Sequence, residues 1–167
     1  DDKSAESTET TDDTTYKIGV LQLTQHAALD KTNEGFIAAL DESGIKYEVD
    51  QQNASGEQSA CRTIAEKLVN DGNDLIYAIA TPAAQAVAGV TSEIPIVLSA
   101  VTDPAESGLV ASNDAPGGNV TGTSDLTPVK EQIELLKQIL PDAKTVGILF
   151  CSSESNSEIQ AAMAREA

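Results

Sequence analysis

Four short polar clusters, each placed directly after an apolar run, hold the residues best suited to binding chemistry. They are Gln25 with His26, Thr81 with Pro82, Thr102 with Asp103, and the serine-rich segment 152–157. Ligands of open α/β sheets bind outside the carboxyl ends of the parallel strands. If the apolar runs are such strands, these clusters meet at one edge and form a site for a small polar molecule.

The segment 81–84 (Thr-Pro-Ala-Ala) is the clearest candidate for an anion site. A threonine N-cap, a proline without an N–H and two alanines leave backbone N–H groups exposed at the positive end of a helix. Such an end binds a carboxylate or a phosphate. The alternative is that Thr81 only caps its own helix.

The charged residues near this edge allow structural and functional interpretations. Asp103, which precedes Pro104, fits an Asx turn as well as a contact to a ligand ammonium group. His26 fits a hydrogen-bonded loop residue better than a general base, and Asp30 is placed to cap the first helix.

Catalytic and cofactor motifs are missing from the sequence. It contains no Gly-x-Ser-x-Gly, Walker, Gly-x-Gly-x-x-Gly or His-Glu-x-x-His pattern, so no cofactor is indicated. One histidine and two cysteines without metal-ligand spacing exclude a structural zinc site. One enzymatic alternative is a cofactor-independent amino-acid racemase or isomerase using Cys151. However, Cys61 falls on an apolar helix stripe and Cys151 alone makes no proton-transfer pair.

The charge of the chain limits its partners. Its 27 acidic and 10 basic side chains give a net charge of −17, without the basic stripe that nucleic-acid binding or an anionic membrane surface requires. Residues 1–15 hold six acids and one lysine, and we expect a disordered acidic tether there. No apolar run reaches the 18 residues of a membrane-spanning segment.

Apolar runs alternate with helical patterns along the first part of the chain. Strands are predicted at 16–23, 45–49, 74–80 and 94–100, with helices between them. This order predicts the α/β class, with a doubly wound parallel sheet and helices on both faces.

After Pro104 the sequence becomes glycine-rich, and we expect a loop with one short strand at 119–123. Thr127 as N-cap and Pro128 at the first position predict a helix at 129–140. A buried strand at 145–150 and a helix opened by the capping-box spacing Ser155 to Glu158 would begin a second, similar sheet.

Several motifs, in this order, resemble the tryptophan/tyrosine type of ABC-transporter substrate-binding proteins. They are Gln-His-Ala-Ala-Leu-Asp at 25–30, Ala-Thr-Pro-Ala-Ala-Gln-Ala at 80–86, Ala-Val-Thr-Asp-Pro at 100–104, and Pro-Gly-Gly-Asn-Val-Thr-Gly-Thr-Ser-Asp at 116–125. The resemblance implies a type I periplasmic-binding-protein fold, in which two lobes close on a small ligand. We expect an amino acid, with an aromatic or branched one favoured. The same resemblance implies an extracytoplasmic protein, periplasmic or lipid-anchored, that delivers its ligand to an ABC permease.

The resemblance also implies the site residues. It places one set on the cleft wall of the first lobe: Gln25, His26, Thr81, Pro82, Thr102, Asp103 and Asp125. A second set would face them from the second lobe: Ser153, Glu154, Asn156 and Ser157. We expect the ligand carboxylate at Thr81 or at the helix start 155–157, and the ammonium near Asp103, Asp125 or Glu154.

By this interpretation the chain divides into a tether at 1–15, a first lobe at 16–125, and a crossover helix with a truncated second lobe at 126–167. Half a cleft would bind ligand more weakly than a closed one. The apolar surface near 145–150 would also be left uncovered. We therefore expect either a homodimer of this fragment or a further portion of chain in the natural protein.

Overall fold

In the computed structural model, which describes residues 14–167, strands and helices alternate along the first half of the chain. The strands are β1 (Thr15–Gln22), β2 (Lys46–Asn53), β3 (Leu75–Ile79), β4 (Ile96–Val101) and β5 (Val120–Ser124). The helices are α1 (Ala27–Ser43), α2 (Gln58–Asn70), α3 (Thr81–Ala88), α4 (Val129–Ile139) and α5 (Ser155–Glu166). The strands form one parallel sheet in the order β2-β1-β3-β4-β5. The predicted α/β class is confirmed.

Strand β3 lies at the centre of the sheet, between β1 and β4. Four of its five residues are buried, as expected for an apolar run covered on both faces. It also fixes the start of α3, because only one residue, Ala80, separates the strand from that helix.

The helices on the two faces of the sheet bury their side chains to different extents. On one face, α2 and α3 bury Cys61, Leu68 and Val87 against the sheet. On the other face, α1 packs through half-buried side chains, and Phe36 stacks on Tyr77 with ring centroids 4.0 Å apart. No residue of α1 is fully buried.

The short strand predicted at 119–123 is confirmed as β5, which extends the sheet beside β4. At Gly122 the two backbones come very close, since a Cβ at this position would lie 2.1 Å from the carbonyl oxygen of Leu98. Only glycine allows the edge strand to pair here.

The buried strand predicted at 145–150 is wrong. This segment pairs with no strand of the described chain, and Val146 and Leu149 are 51% and 101% exposed. A strand needs a neighbour for its backbone groups, and local apolar pattern alone does not supply one.

The predicted caps of two helices are wrong. Helix α4 begins at Val129 after Pro128, so Thr127 is not its N-cap. Helix α5 begins at Ser155 with Glu154 as N-cap and no side-chain capping bond, so the capping box is not formed.

The predicted tether at 1–15 lies outside the described residues except for its last two, and Thr15 already belongs to β1. Among residues 14–167, no helix is long and apolar enough to cross a membrane.

We expect Gly122→Ala to lower the free energy of unfolding by about 2 kcal/mol or more, because the added methyl group overlaps the Leu98 backbone. Urea unfolding followed by circular dichroism measures the change. Gly118→Ala is the matched control, since nothing lies within 4 Å of a Cβ placed there. Equal stability of the two variants would contradict the close approach.

Candidate functional site

The loops that follow β1, β2 and β3 are held together by backbone hydrogen bonds at the carboxyl edge of the sheet. Leu23 N donates to Ile79 O (3.2 Å), Gly56 N donates to Leu23 O (2.8 Å), and Ala54 N donates to Gln22 O (2.9 Å). The edge where the sequence places its polar clusters is therefore a connected surface.

The connection from β3 to α3 is the most constrained part of this edge. Ala80, the N-cap, has a φ of 83°, which is unusual for a residue with a Cβ. Its N–H donates to Ser99 O (3.0 Å) and its carbonyl accepts from Ala84 N (3.0 Å). Strained backbone of this kind costs about 1–3 kcal/mol and is concentrated at functional sites.

Thr81 is the first residue of α3 and not its N-cap, which corrects the prediction that it caps the helix. Its side chain is 1% exposed, and its Oγ1 has no hydrogen-bond partner. Ala84 N is used by Ala80 O and Pro82 has no N–H, so the helix leaves the N–H groups of Thr81 and Ala83 without intrahelical acceptors. These groups suit a small anion.

His26 caps α1, a role that the sequence suggested for Asp30. The Nδ1 atom of His26 accepts a hydrogen bond from Ala28 N (3.2 Å). Asp30 instead accepts from the buried side chain of Gln22, whose Nε2 also donates to Thr24 O (distances of 2.7 and 2.8 Å). Gln25 is exposed beside this loop.

Asp103 forms the Asx turn that the sequence allowed. Its Oδ1 accepts from Asn113 Nδ2 (2.9 Å) and from the backbone N–H groups of Ala105 and Glu106 (both 3.1 Å). Chiefly the Asn113 bond, aided by the backbone bonds and opposed by burial, lowers the pKa of this carboxyl below its ordinary value. The carboxylate is ionised, with Oδ1 used by the loop.

Thr102 and Asp125 follow the last two strands. Thr102 is buried, and its Oγ1 accepts from Gln160 Nε2 of α5 (3.4 Å). The side chain of Asp125 is exposed, while its N–H donates to Val101 O (3.1 Å).

The segment 151–157 is hydrogen-bonded to α2 and α3. Gln58 Nε2 donates to Ser153 O (2.8 Å), and Gln85 Nε2 donates to Ser155 Oγ (3.2 Å). Glu154 is the N-cap of α5 and accepts from Ser157 N (3.1 Å). The Oδ1 atom of Asn156 is buried without a partner.

A cleft of about 480 Å³ separates α2 and α3 from this segment. Its walls include Gln58, Arg62, Pro82, Gln85, Ser153 and Ser155. Of the predicted site residues, Pro82 and Ser153 therefore share one cleft, and Thr102 is tied to α5. The other predicted site residues do not line it: Gln25, His26, Thr81, Thr102, Asp103, Asp125, Glu154, Asn156 and Ser157.

Sequence reasoning missed the glutamines that bond to this segment. Gln85 lies four residues after Thr81, and Gln160 lies four residues after Asn156, which places each on the helix face of a predicted site residue. That spacing was the available signal.

Catalytic and metal-binding groups are sparse. Cys61 is buried in the core, and burial raises the pKa of its thiol, whereas Cys151 is exposed. Within residues 14–167, no group of three His, Cys, Asp or Glu side chains is arranged to hold a metal ion.

Residues 17–167 match the family described as ABC transporter substrate binding protein. A tyrosine-binding protein of Clostridioides difficile (strain R20291) is 48% identical over 147 residues, which cover 86% of this chain and 43% of that protein. The chain thus spans less than half the length of this relative.

Solved structures show the same likeness. A Streptococcus pneumoniae ABC domain in complex with L-Trp is 43% identical, with a TM-score of 0.87 over 92% of this chain and 53% of that one. A ligand-free, open substrate binding protein with adhesive properties from Clostridium difficile is 44% identical, with a TM-score of 0.72 over 90% and 52% of the two chains. A leucine binding protein from Thermotoga maritima, 18% identical with a TM-score of 0.70, shares the fold. The fold, the polar carboxyl edge and these likenesses together show that the chain belongs to the ABC transporter substrate-binding proteins.

Proposed function

We propose that the chain captures an aromatic amino acid, L-tryptophan or L-tyrosine, at the carboxyl edge of its sheet. The observation that carries this proposal is the buried Thr81 hydroxyl without a partner at the start of α3. A buried polar atom without a partner is costly, and a ligand that bonds to it removes the cost. The relatives that bind tyrosine or hold L-Trp supply the ligand class.

Two of the four buried side-chain atoms that lack a partner within residues 14–167, Thr81 Oγ1 and Asn156 Oδ1, give the site a polarity. The Thr81 hydroxyl donates to the ligand carboxylate, which the N–H groups of Thr81 and Ala83 also bind. The Asn156 Oδ1, which can only accept, takes a hydrogen bond from the ligand ammonium. Asp125, Glu154 and the second carboxylate oxygen of Asp103 supply negative charge for that pole.

In the complete protein, residues 16–125 form the first lobe and residues 126–167 begin the second. The closed form delivers the amino acid to an ABC permease for import. The acidic segment 1–15 is a tether that holds the folded part outside the cytoplasm. The protein is either periplasmic or attached to the cell surface through a lipid anchor.

The chain acts as a binder and not as an enzyme. A racemase with two facing thiols needs both side chains in the cleft. Cys61 lies on the buried face of α2, within the core cluster, and is 1% exposed. The relatives are described by what they bind, which agrees with this proposal.

We expect the fluorescence anisotropy of L-tryptophan to rise, and its emission maximum to move to a shorter wavelength, when the chain is added. The chain contains no tryptophan, so this signal comes from the ligand alone. L-tyrosine displaces it, while D-tryptophan and L-glutamate do not. No change in the anisotropy or emission at about 1 mM protein and ligand would reject capture of these amino acids.

We expect Thr81→Val to weaken L-tryptophan binding roughly tenfold to a hundredfold, because a hydrogen bond to a charged group is lost. The unliganded variant is as stable as wild type or more so, since its hydroxyl bonds to nothing there. Thermal unfolding and ligand titration measure the two effects. Thr63→Val on the exposed face of α2 is the control, and equal affinity in both variants contradicts the assignment.

We further propose that the chain self-associates through the apolar surface formed by α4 and residues 145–150. Ile139 and Leu149 are 67% and 101% exposed there. Light scattering after size exclusion is expected to give a dimer of the 17.4 kDa chain, and Leu149→Ser to shift it toward monomer. A monomer at every concentration would overturn the proposal.

A further inference from the structure

Three glutamine amides connect residues 151–166 to the first part of the chain. Gln58 Nε2 donates to Ser153 O, Gln85 Nε2 to Ser155 Oγ, and Gln160 Nε2 to Thr102 Oγ1, at 2.8, 3.2 and 3.4 Å. We propose that Gln58, Gln85 and Gln160, named here the glutamine clasp, position α5 against the sheet edge that carries Thr81 by uncharged hydrogen bonds. This inference rests on the proposed function, since Gln85 lies one turn after Thr81, where the ligand carboxylate is proposed to bind.

Gln85 connects the clasp to α3, the helix that carries Thr81. It lies one turn after Thr81 on α3, and its Nε2 donates to Ser107 O (3.1 Å) as well as to Ser155 Oγ. One amide therefore joins α3, the loop after β4 and the first residue of α5. Displacement of α5 breaks a bond to the helix that presents Thr81.

Gln160 connects α5 to the residues that follow β4 and precede α4. Its Oε1 accepts from Thr127 Oγ1 (3.3 Å), while its Nε2 donates to Thr102 Oγ1. Thr102 follows β4 and Thr127 precedes α4, so this half-buried amide joins the sheet edge to the start of the crossover helix.

Every donor and acceptor of the glutamine clasp is neutral, in a chain with a net charge of −17. The charged side chains of Arg62 and Glu158 line the same cleft, but neither takes part in the three clasp bonds. Because the clasp bonds join neutral groups, salt screens them little.

Gln58→Glu and Gln85→Glu test the clasp, because a carboxylate has the size of the amide but cannot donate to Ser153 O or Ser107 O. Hydrogen exchange of the unliganded 167-residue chain is the readout. We expect backbone N–H groups of 152–158 to exchange about fivefold to tenfold faster in both variants, and those of β3 to be unchanged. Gln138→Glu, on the exposed surface of α4, adds the same charge and is expected to match wild type.

Ligand kinetics supply the second readout. Both clasp variants should release L-tryptophan about fivefold to tenfold faster with little change in association rate. Exchange of 152–158 in wild type should be the same at about 0.1 M and about 1 M salt, since the clasp carries no charge.

The outcomes separate the clasp from the proposed function. Faster exchange in the variants without any L-tryptophan signal supports the clasp and rejects the ligand. Unchanged exchange of 152–158 in both variants, or exchange that rises as strongly in Gln138→Glu, overturns the clasp whether or not ligand binds.

Discussion

The backbone of Ala80 joins the central strand to the helix of the proposed anion site, and the geometry of the site depends on this one residue. Its N–H belongs to the bonding with β4 and its carbonyl accepts the first bond of α3. Because no loop separates strand from helix, the sheet fixes the position of Thr81. The packing of Ala83, Ala84 and Val87 against the core offsets the strain of the positive φ.

The direct connection through Ala80 also explains why the Thr81 hydroxyl is buried without a hydrogen-bond partner. A flexible loop would let Thr81 turn and satisfy its hydroxyl with a nearby carbonyl. The fixed helix start keeps the hydroxyl buried and unpartnered, so that binding the ligand requires little rearrangement. The proposed glutamine clasp fits the same pattern, since its neutral amides hold the segment that faces α2 and α3.

Much of the fold could be predicted from the sequence because the three inner strands, β1, β3 and β4, are apolar runs that the sheet largely covers. The strand at 145–150 could not, since its pattern is local while pairing depends on a neighbour elsewhere in the chain. Thr81 and Asp103 were correctly placed at the sheet edge. Their roles needed coordinates, because the positive φ of Ala80 and the contact with Asn113 leave no trace in residue spacing. The glutamines were missed because this residue type is usually solvated on helices.

The uneven cover of the sheet has a consequence for how the molecule opens. Helix α1 buries no residue fully, begins at the His26 cap, and packs on the sheet through half-buried side chains such as Leu29 and Phe36. An element with so few buried contacts detaches at a lower free energy than the core and behaves as a separate cooperative unit. Proteases and chaperones therefore meet the Tyr77 face of the sheet first, while α2, α3 and the ligand edge remain folded.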